Sequence, residues 1–289
     1  LGLGHEELRA ENPRLIYASL SGYGQDGPFR DVKAFDLLVQ GEAGLLATTG
    51  TPEEPAKVGP PVADLIGGAT AAIGILSALH GRERTGEGAY YDVSLFESVL
   101  SWLGYFPHFH WHTGRVPQRS GMRHQSIIPY GPFKARDDRY VSIAITSEEH
   151  WRRFCEKVVA KPEWLTDPRF ATIVDRYKNK DVVEAAVEED FAREDAQAWF
   201  DRLRAAGLPF GEVRDIAGVV EHPQAIARGM FVRADSEVGE LPLVRFPLAP
   251  AGERRIPAIG EHTTEILSEA GYTSEEISAL REAGVVVQA

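Results

Sequence analysis

A long run of small and aliphatic residues follows Pro60 and Pro61 and leaves little alternative to a helix. Apolar side chains recur at helical spacing as far as about His80, which predicts one buried helix face. These positions are Leu65, Ile66, Ala69, Ala72, Ile73, Leu76 and Leu79. The run therefore predicts a helix that carries one carboxylate, that of Asp64, near its N-terminus.

Asp64 has two interpretations at this position. Aspartate is among the preferred N-cap residues, so it can simply begin the helix. Alternatively, the helix dipole and the free amides keep its carboxylate ionised for nucleophilic work. Gly67 and Gly68 follow in the next turn, where side chains would otherwise block access. This stretch alone leaves both interpretations open.

The residues around this helix alternate between strand and helix patterns. Residues 14–20 predict a strand, and Asp36 begins a helix. Residues 90–95 alternate with the period of a strand, and a helix over about 96–112 follows. Strands separated by helices predict an α/β domain with a mainly parallel sheet, which we place at residues 1–118.

The composition changes near residue 116, where prolines and glycines crowd a linker-like stretch. A strand over 140–145 and helices over 182–191 and 196–206 then predict a second, smaller α+β domain at 119–222. Residues 223–289 contain strand candidates at 230–234 and 241–246 and a final helix pair after Gly260. We expect this segment to return to the first domain.

Charge and composition limit the partners. The 289 residues carry a formal charge of −12 and no long basic run, so nucleic acid is not an expected partner. We find no apolar run long enough to span a bilayer and expect no membrane partner. The single cysteine, Cys155, lies in an amphipathic helical pattern. It predicts a packed structural thiol and a reducing, cytoplasmic location.

Two patterns look like functional motifs but lack the necessary context. Gly22, Gly24 and Gly27 match the G-x-G-x-x-G spacing of dinucleotide-binding loops. Pro28 and further turn-forming residues follow where such a loop requires a helix, so we expect a turn in a pocket wall. The histidines at 108, 110 and 112 lie on a predicted helix without a completing ligand, so no metal site is expected.

Several short motifs occur in one order along nearly the whole chain. They are GYGQDGP at 22–28, KAFD at 33–36, VADL at 62–65 with GG at 67–68, RTGEG at 84–88, DVSL at 92–95, GMRHQSIIPYG at 121–131, GLPFG at 207–211 and GEHT at 260–263. Each motif is weakly specific by itself. Together they resemble the class III CoA-transferases, the group of formyl-CoA and carnitine CoA-transferases.

The resemblance implies a reaction and its nucleophile. In these enzymes the aspartate of the V-A-D-L-type motif attacks an acyl-CoA thioester, and this aspartate matches Asp64. The reaction passes through a mixed aspartyl anhydride and an aspartyl-CoA thioester, and it hands CoA to a carboxylic acid. The expected acceptor is a dicarboxylate or a related acid. Coenzyme A is then a substrate, and no permanently bound cofactor is expected.

The resemblance also implies a substrate pocket. Lys33 matches a lysine that contacts CoA, and Phe35 and Asp36 match an aromatic–acid pair that lines the same site. His124 lies where family members place a loop near the substrate. Further expected pocket residues are Gly67, Gly68 and Leu95. By our own hypothesis, the two glycines leave backbone amides at the helix start accessible to an oxyanion.

Two alternatives to the transferase remain. The same fold also hosts α-methylacyl-CoA racemases, in which a histidine precedes the aspartate that aligns with Asp36 and works with the equivalent of Asp64. Here that position is Phe35, which cannot transfer a proton, and this departure favours the transferase. A chain that only binds acyl-CoA, as a catalytically inactive subunit, is the other alternative.

The resemblance implies an architecture as well. It predicts a Rossmann-like large domain whose N-terminal part is absent, a smaller α+β domain, and an interlocked homodimer. About 100 residues of the family's chain, the size of a small domain, are expected ahead of Leu1. They would include further CoA contacts.

Overall fold

The computed structural model describes residues 2–249 and 255–288 of the chain. The chain forms two compact units, Leu1–Val213 and Arg214–Ala289. The predicted boundaries after residues 118 and 222 stay predictions. Leu1, Ala289 and residues 250–254, which fall in the predicted first and third segments, lie outside the described residues.

The beginning of the first unit has the mixed α/β arrangement that the alternating pattern predicted. Its elements are α1 (His5–Glu11), β1 (Tyr17–Ser21), α2 (Asp36–Glu42), α3 (Val62–Thr85), β2 (Tyr90–Ser94), α4 (Leu95–Trp102) and α5 (Phe106–Thr113). β1 and β2 pair in parallel, from Tyr17 opposite Tyr90 to Ser21 opposite Ser94. Parallel strands need a long crossover connection, and α2 and α3 lie within it.

A small apolar core forms where α2, α3 and α4 meet. Its buried members are Val39, Ala43, Ala63, Ile66 and Val99. Ala63 and Ile66 are three residues apart in the first turns of α3, so their side chains share one face of the helix. The start of α3 is thereby packed against both α2 and α4.

α3 extends further than predicted and is less buried. It ends at Thr85, and the C-cap residue Gly86 has a φ of 79°, in the left-handed region that glycine adopts readily at helix ends. Ile66 is buried, but Leu65, Ile73 and Leu76 are at least 60% exposed. Ala69, Ala72 and Leu79 are exposed as well. The predicted burial is therefore wrong for every residue of the predicted face except Ile66, because the strands, α2 and α4 pack on other parts of the α3 surface.

α3 also corrects the expectation about membrane spans. Among the described residues it is the one helix that is long and apolar enough, by length and composition, to cross a membrane. The prediction that no apolar run reaches this length is therefore wrong. Mostly buried core helices of soluble proteins pass the same test, but only 22% of the apolar window of α3 is buried, although the helix packs along both strands of the parallel pair. The absence of a membrane partner stays a prediction.

The helix predicted over residues 96–112 is in fact two helices, α4 and α5. Gly104 lies between them with a φ of +62°, which interrupts the right-handed helix. Pro107 then lies in the first turn of α5, where its missing N–H removes no helical hydrogen bond.

The rest of the first unit surrounds a three-stranded antiparallel sheet in the order β3-β4-β5. Its elements are β3 (Tyr130–Lys134), β4 (Tyr140–Ala144), α6 (Glu148–Arg153), a π-helical turn (Phe154–Val158), a 3-10 turn (Pro162–Leu165), α7 (Ile173–Lys178), α8 (Lys180–Phe191), α9 (Ala196–Ala205) and β5 (Phe210–Glu212). The predicted strand and helix pair are confirmed. Cys155 is buried in this core, and burial raises the pKa of its thiol to about 12, which confirms a packed structural thiol.

The buried side chain of Arg176 stabilises the segment that leads into this sheet. Arg176 is fully buried, and its guanidinium donates to the carbonyl oxygens of Ile128 at 3.2 Å and Phe170 at 3.0 Å. It also donates to the Glu148 carboxylate at 3.1 Å and lies over the Trp151 ring, with Cζ 4.7 Å from the ring centroid. Burial lowers the pKa of this guanidinium, and the charge of Glu148 opposes that shift.

The second unit consists of short helices and a strand pair. Its elements are α10 (Ile216–Val220), α11 (Pro223–Ala227), β6 (Phe231–Ala234), β7 (Leu241–Val244), α12 (Thr263–Glu269) and α13 (Ser274–Glu282). β6 and β7 pair antiparallel, and Thr273 with Glu276 forms a capping box at the start of α13. The predicted strand pair and final helix pair are confirmed, whereas the return of this segment to the first domain stays a prediction.

Candidate active site

Asp64 lies in the first turn of α3 but does not cap it. The helix begins at Val62, and Pro61 is the N-cap residue, so Asp64 is the third helical residue. The N-cap interpretation is therefore wrong. The Asp64 side chain is exposed, and its carboxylate has no hydrogen bond or ion pair to any residue in 2–249 or 255–288. It is a free carboxylate at the positive end of a 24-residue helix.

The cap is supplied by Asp36 from the preceding helix. The Asp36 Oδ1 atom accepts a hydrogen bond of 2.8 Å from the amide of Ala63, the neighbour of Asp64. Oδ2 of Asp36 accepts from Nε2 of Gln40, also at 2.8 Å, and Oε1 of Gln40 accepts from the amide of Val58 at 3.1 Å. Asp36 is therefore a first-turn residue of α2 and a remote cap of α3.

The same contact brings the KAFD motif close to Asp64. Phe35 precedes α2 as its N-cap residue and is 76% exposed, and Lys33 is exposed in the loop before it. Because Asp36 bonds to Ala63, this exposed stretch lies beside the turn that carries Asp64. The roles of Lys33, Phe35 and Asp36 as CoA contacts stay predictions.

The two glycines of α3 have different surroundings. A Cβ on Gly67 would overlap a methyl group of Leu95 and would lie 3.4 Å from the Leu20 side chain, so Gly67 permits close packing. A Cβ on Gly68 would meet nothing within 4 Å. Gly68 is four residues after Asp64, on the same helix face, and it leaves the space beside the carboxylate open. Leu95, the first residue of α4, reaches the site through its contact with Gly67.

The hypothesis about free amides needs a correction. Gly67 and Gly68 lie inside α3, where the helical hydrogen-bond ladder uses their amides. The free donor is one turn earlier. Val62 donates to Pro60, Ala63 to Asp36 and Leu65 to Pro61. The amide of Asp64 itself has no acceptor among the described residues, so it is the N–H available to an oxyanion near this carboxylate.

The glycine-rich loop after β1 is a turn, as predicted. Gly24 and Gly27 have φ values of 95° and 76°, and the next helix begins only at Asp36. The Gln25 amide donates to the Asp92 carboxylate at 2.7 Å, which ties the loop to the edge strand β2. The loop has no helix N-terminus behind it for a pyrophosphate.

The structure does not bring His124 into contact with the residues around Asp64. Its loop is tied instead to the segment before α3, since the Gly121 amide donates to Gly50 and Arg119 donates to the carbonyl oxygens of Thr51 and Pro52. A cleft of 580 Å³ lies beside this loop. Its cationic lining residues are Arg115, Arg119 and Lys180. This cleft could not be predicted from the sequence, because its lining residues come from three separate segments of the chain.

His124 is held as a neutral hydrogen-bond acceptor. Its Nδ1 accepts from the amides of Ser126 and Ile127, both at 3.1 Å, and its ring stacks on Tyr130 with 5.0 Å between centroids. Burial lowers its pKa from the ordinary 6.5. Protonation at Nδ1 would remove both hydrogen bonds, because the new N–H of the ring would point at the amide N–H groups of Ser126 and Ile127.

This arrangement predicts a pH dependence of folding stability. Below pH 6.5 His124 binds a proton more readily in the unfolded chain than in the folded chain. The contribution of His124 to the free energy of unfolding is therefore fully present above pH 6.5 and is lost as the pH falls through the lowered pKa. His124→Asn retains an acceptor and does not titrate. Urea unfolding at pH 7.5 and 5.0 is expected to give a smaller decrease in stability for the variant than for the wild type. Equal decreases in stability for the two proteins would show that His124 does not contribute to the pH dependence.

Comparisons with known proteins identify the class of protein. Residues 1–263 match the sequence profile of CoA-transferase family III. An acetyl-CoA:oxalate CoA-transferase of Acetobacter aceti is 40% identical over 236 residues, which are 81% of this chain and 60% of that protein. A succinyl-CoA:glutarate CoA-transferase of Homo sapiens is 30% identical over an alignment of 297 positions, which covers 100% of this chain and 67% of that protein.

The fold agrees with the sequences. The crystal structure of a CAIB/BAIF family protein from Brucella suis matches 93% of this chain with a TM-score of 0.78 and 32% identity, and 71% of that chain is covered. The chain therefore belongs to CoA-transferase family III, and the resemblance inferred from the ordered motifs is confirmed. It spans 60% of the length of the Acetobacter relative.

Proposed function

We propose that this chain carries the nucleophile of a CoA-transferase, which moves CoA from an acyl-CoA thioester to a carboxylic acid. The observation that carries the proposal is the exposed, unpartnered carboxylate of Asp64 in the first turn of α3, beside the open space at Gly68. A structural aspartate at a helix start accepts hydrogen bonds from backbone amides, whereas Asp36 performs that task here and leaves Asp64 free.

The reaction then proceeds by exchange of acyl groups at this carboxylate. An Asp64 oxygen attacks the thioester carbon, and when the tetrahedral intermediate collapses the C–S bond breaks, which releases CoA as the thiolate and leaves a mixed anhydride on Asp64. The thiolate attacks the Asp64 carbonyl carbon, which gives an aspartyl-CoA thioester and releases the donor acid. The acceptor carboxylate attacks this thioester, and the released thiolate attacks the acceptor carbonyl of the new anhydride. The new acyl-CoA leaves and Asp64 is regenerated.

The local electrostatics suit these steps. The Asp64 carboxylate lies at the positive end of α3, where the helix dipole attracts an anion. Each tetrahedral intermediate carries an oxyanion, for which the free amide of Asp64 is a donor within the same turn. Lys33 has no ion-pair partner among the described residues, so its ammonium group is available to a phosphate of CoA.

The relatives support a class of acceptor. The names of the two sequence relatives contain oxalate and glutarate, which are both small dicarboxylates. We extend this class to the present chain, with coenzyme A as a substrate rather than a resident cofactor. An interlocked homodimer and a cytoplasmic location are part of the same proposal.

Trapping the covalent intermediate tests the proposal. The protein is incubated with succinyl-CoA, treated with hydroxylamine or borohydride, and analysed by peptide mass spectrometry. Modification confined to Asp64, and absent from Asp64→Asn, is the expected result. Deuterium uptake at the α-carbon of a branched acyl-CoA without an adduct would instead support the racemase. Neither an adduct nor deuterium uptake would support the alternative in which the chain only binds acyl-CoA.

Gly68 provides a prediction in which stability and activity change in opposite directions. Gly68→Ala is expected to raise the free energy of unfolding by about 0.5–1 kcal/mol, because alanine is the better helix former and its Cβ meets no atom. The transfer rate is expected to fall, and to fall further in Gly68→Leu, because the side chain grows beside the nucleophile. Urea unfolding and steady-state transfer rates measure the two effects.

Gly81→Ala is the matched control. Gly81 lies in the same helix, and its added Cβ also meets nothing within 4 Å, but it is 17 residues beyond Asp64. It is expected to stabilise the protein to a similar degree without a change in rate. An undiminished rate in Gly68→Leu would show that the approach to Asp64 does not pass over this face.

A further inference from the structure

The helix that carries Asp64 has no cap within its own sequence neighbourhood. Its N-cap residue is Pro61, which has no side-chain acceptor, and no side chain of the helix bonds back to the first turn. The amides of a first turn need partners, and uncapped first turns fray. A nucleophile at the third helical position would be displaced by such fraying. The structure closes the turn with groups from α2, 27 residues earlier in the chain.

We propose that Asp36 and Gln40 form a relay that positions the nucleophile Asp64, and this proposal rests on the proposed transferase function. The relay consists of three hydrogen bonds. The Val58 amide donates to Gln40 Oε1, Gln40 Nε2 donates to Asp36 Oδ2, and the Ala63 amide donates to Asp36 Oδ1. Asp36 is thus a positioning residue, because its carboxylate acts on the peptide bond next to Asp64.

The orientation of each group in the relay follows from its neighbours. The Val58 amide is a donor, so the oxygen of the Gln40 side chain faces it and the NH2 group faces Asp36. Asp36 then accepts on both of its carboxylate oxygens. Gln40 is fully buried, so it cannot exchange these partners for water without cost.

Burial makes the relay rigid. The Ala63 side chain is fully buried in the core shared by α2, α3 and α4, and Val39, next to Gln40, is buried in the same core. Val58 lies in the segment that leads into α3. The relay therefore connects α2, the segment before α3 and the first turn of α3, and it fixes the position of the Asp64 carboxylate. A displacement of about 1 Å at a reacting group costs about 10²-fold in rate.

A double-mutant cycle tests the relay. Asp36→Asn places an NH2 group against the NH2 group of Gln40, and Gln40→Glu places a carboxylate against that of Asp36. Each single variant is expected to lower kcat about 10²-fold with little change in KM. The double variant restores complementary partners, since the asparagine donates to the glutamate and the glutamate still accepts from Val58. It is expected to recover at least about tenfold in kcat.

Hydrogen–deuterium exchange of residues 62–66, measured without any substrate, gives a second readout. Exchange is expected to accelerate in both single variants and to slow again in the double variant. Glu42→Gln removes an exposed carboxylate from the same helix without touching the relay, and both readouts are expected to match the wild type.

The outcomes separate the two proposals. Restored protection without restored kcat would mean that the Asp36 carboxylate acts on the substrate, and it would overturn the positioning role. Unchanged exchange in all variants would overturn the relay. If the wild type transfers no CoA, the proposed function fails, while the exchange pattern still supports or contradicts the relay.

Discussion

Asp64→Asn is expected to lower the transfer rate by at least about 10³-fold, because the amide oxygen cannot form and release the anhydride. Stability is expected to change little, since the carboxylate has no hydrogen bond or ion pair among the described residues. Steady-state transfer from succinyl-CoA to oxalate or glutarate, combined with urea unfolding, measures both quantities. If Asp64 is the nucleophile, its replacement is expected to cause a large loss of activity without a change in the fold.

Glu83→Gln is the matched control for this variant. Glu83 is an exposed carboxylate of α3, 19 residues beyond Asp64 and away from the first turn. Its replacement is expected to leave the rate unchanged, which separates loss of the nucleophile from loss of a negative charge on the helix. Comparable rates for Asp64→Asn and Glu83→Gln would exclude Asp64 as the nucleophile.

The largest loss of stability is expected from Arg176→Met. The substitution leaves the buried carbonyl oxygens of Ile128 and Phe170 without a donor, and each such group costs about 1–3 kcal/mol. The expected decrease in unfolding free energy is therefore about 2–6 kcal/mol, measured by urea unfolding. Arg176→Lys keeps the charge, but one ammonium group cannot reach both carbonyls and the Glu148 carboxylate, so it is expected to lose part of this energy.

Two comparisons make the Arg176 result specific. Arg30→Met removes an exposed arginine whose ion pair with Asp31 lies in solvent, and it is expected to change stability little. Glu148→Gln keeps an acceptor for Arg176 and is expected to have an intermediate effect. A decrease below that of Glu148→Gln for Arg176→Met would contradict the anchoring role.

The sequence predicted the elements around the site better than the contacts between them. Local patterns were sufficient for α2, for β2 and for the turn after β1, because their signals are spacing, alternation and glycine. The start of α3 was misplaced because Asp64 is a good N-cap residue by type. The two prolines before it carried the better signal, since proline is favoured at a helix start and ends extension toward the N-terminus.

The relay could not be predicted from local sequence. Its cap comes from Asp36, 27 residues before Ala63, and no periodicity links the two. Only the pair Asp36 and Gln40, at i and i+4 on one helix face, was visible in the sequence. The burial of Leu65, Ile73 and Leu76 was predicted from periodicity alone. Periodicity marks one face of a helix but does not say which neighbours reach it.

Asp64 lies inside the first turn of α3 and is not its cap, so a reaction at its carboxylate does not remove the hydrogen bond that caps the helix. In the proposed reaction Asp64 becomes an anhydride and then a thioester, and in both forms it loses its charge. A nucleophile that also capped its helix would release the first turn in every catalytic cycle. Here the amide of Ala63 keeps its acceptor on Asp36 throughout. The covalent intermediates can therefore form and decay on a scaffold whose stability does not depend on them.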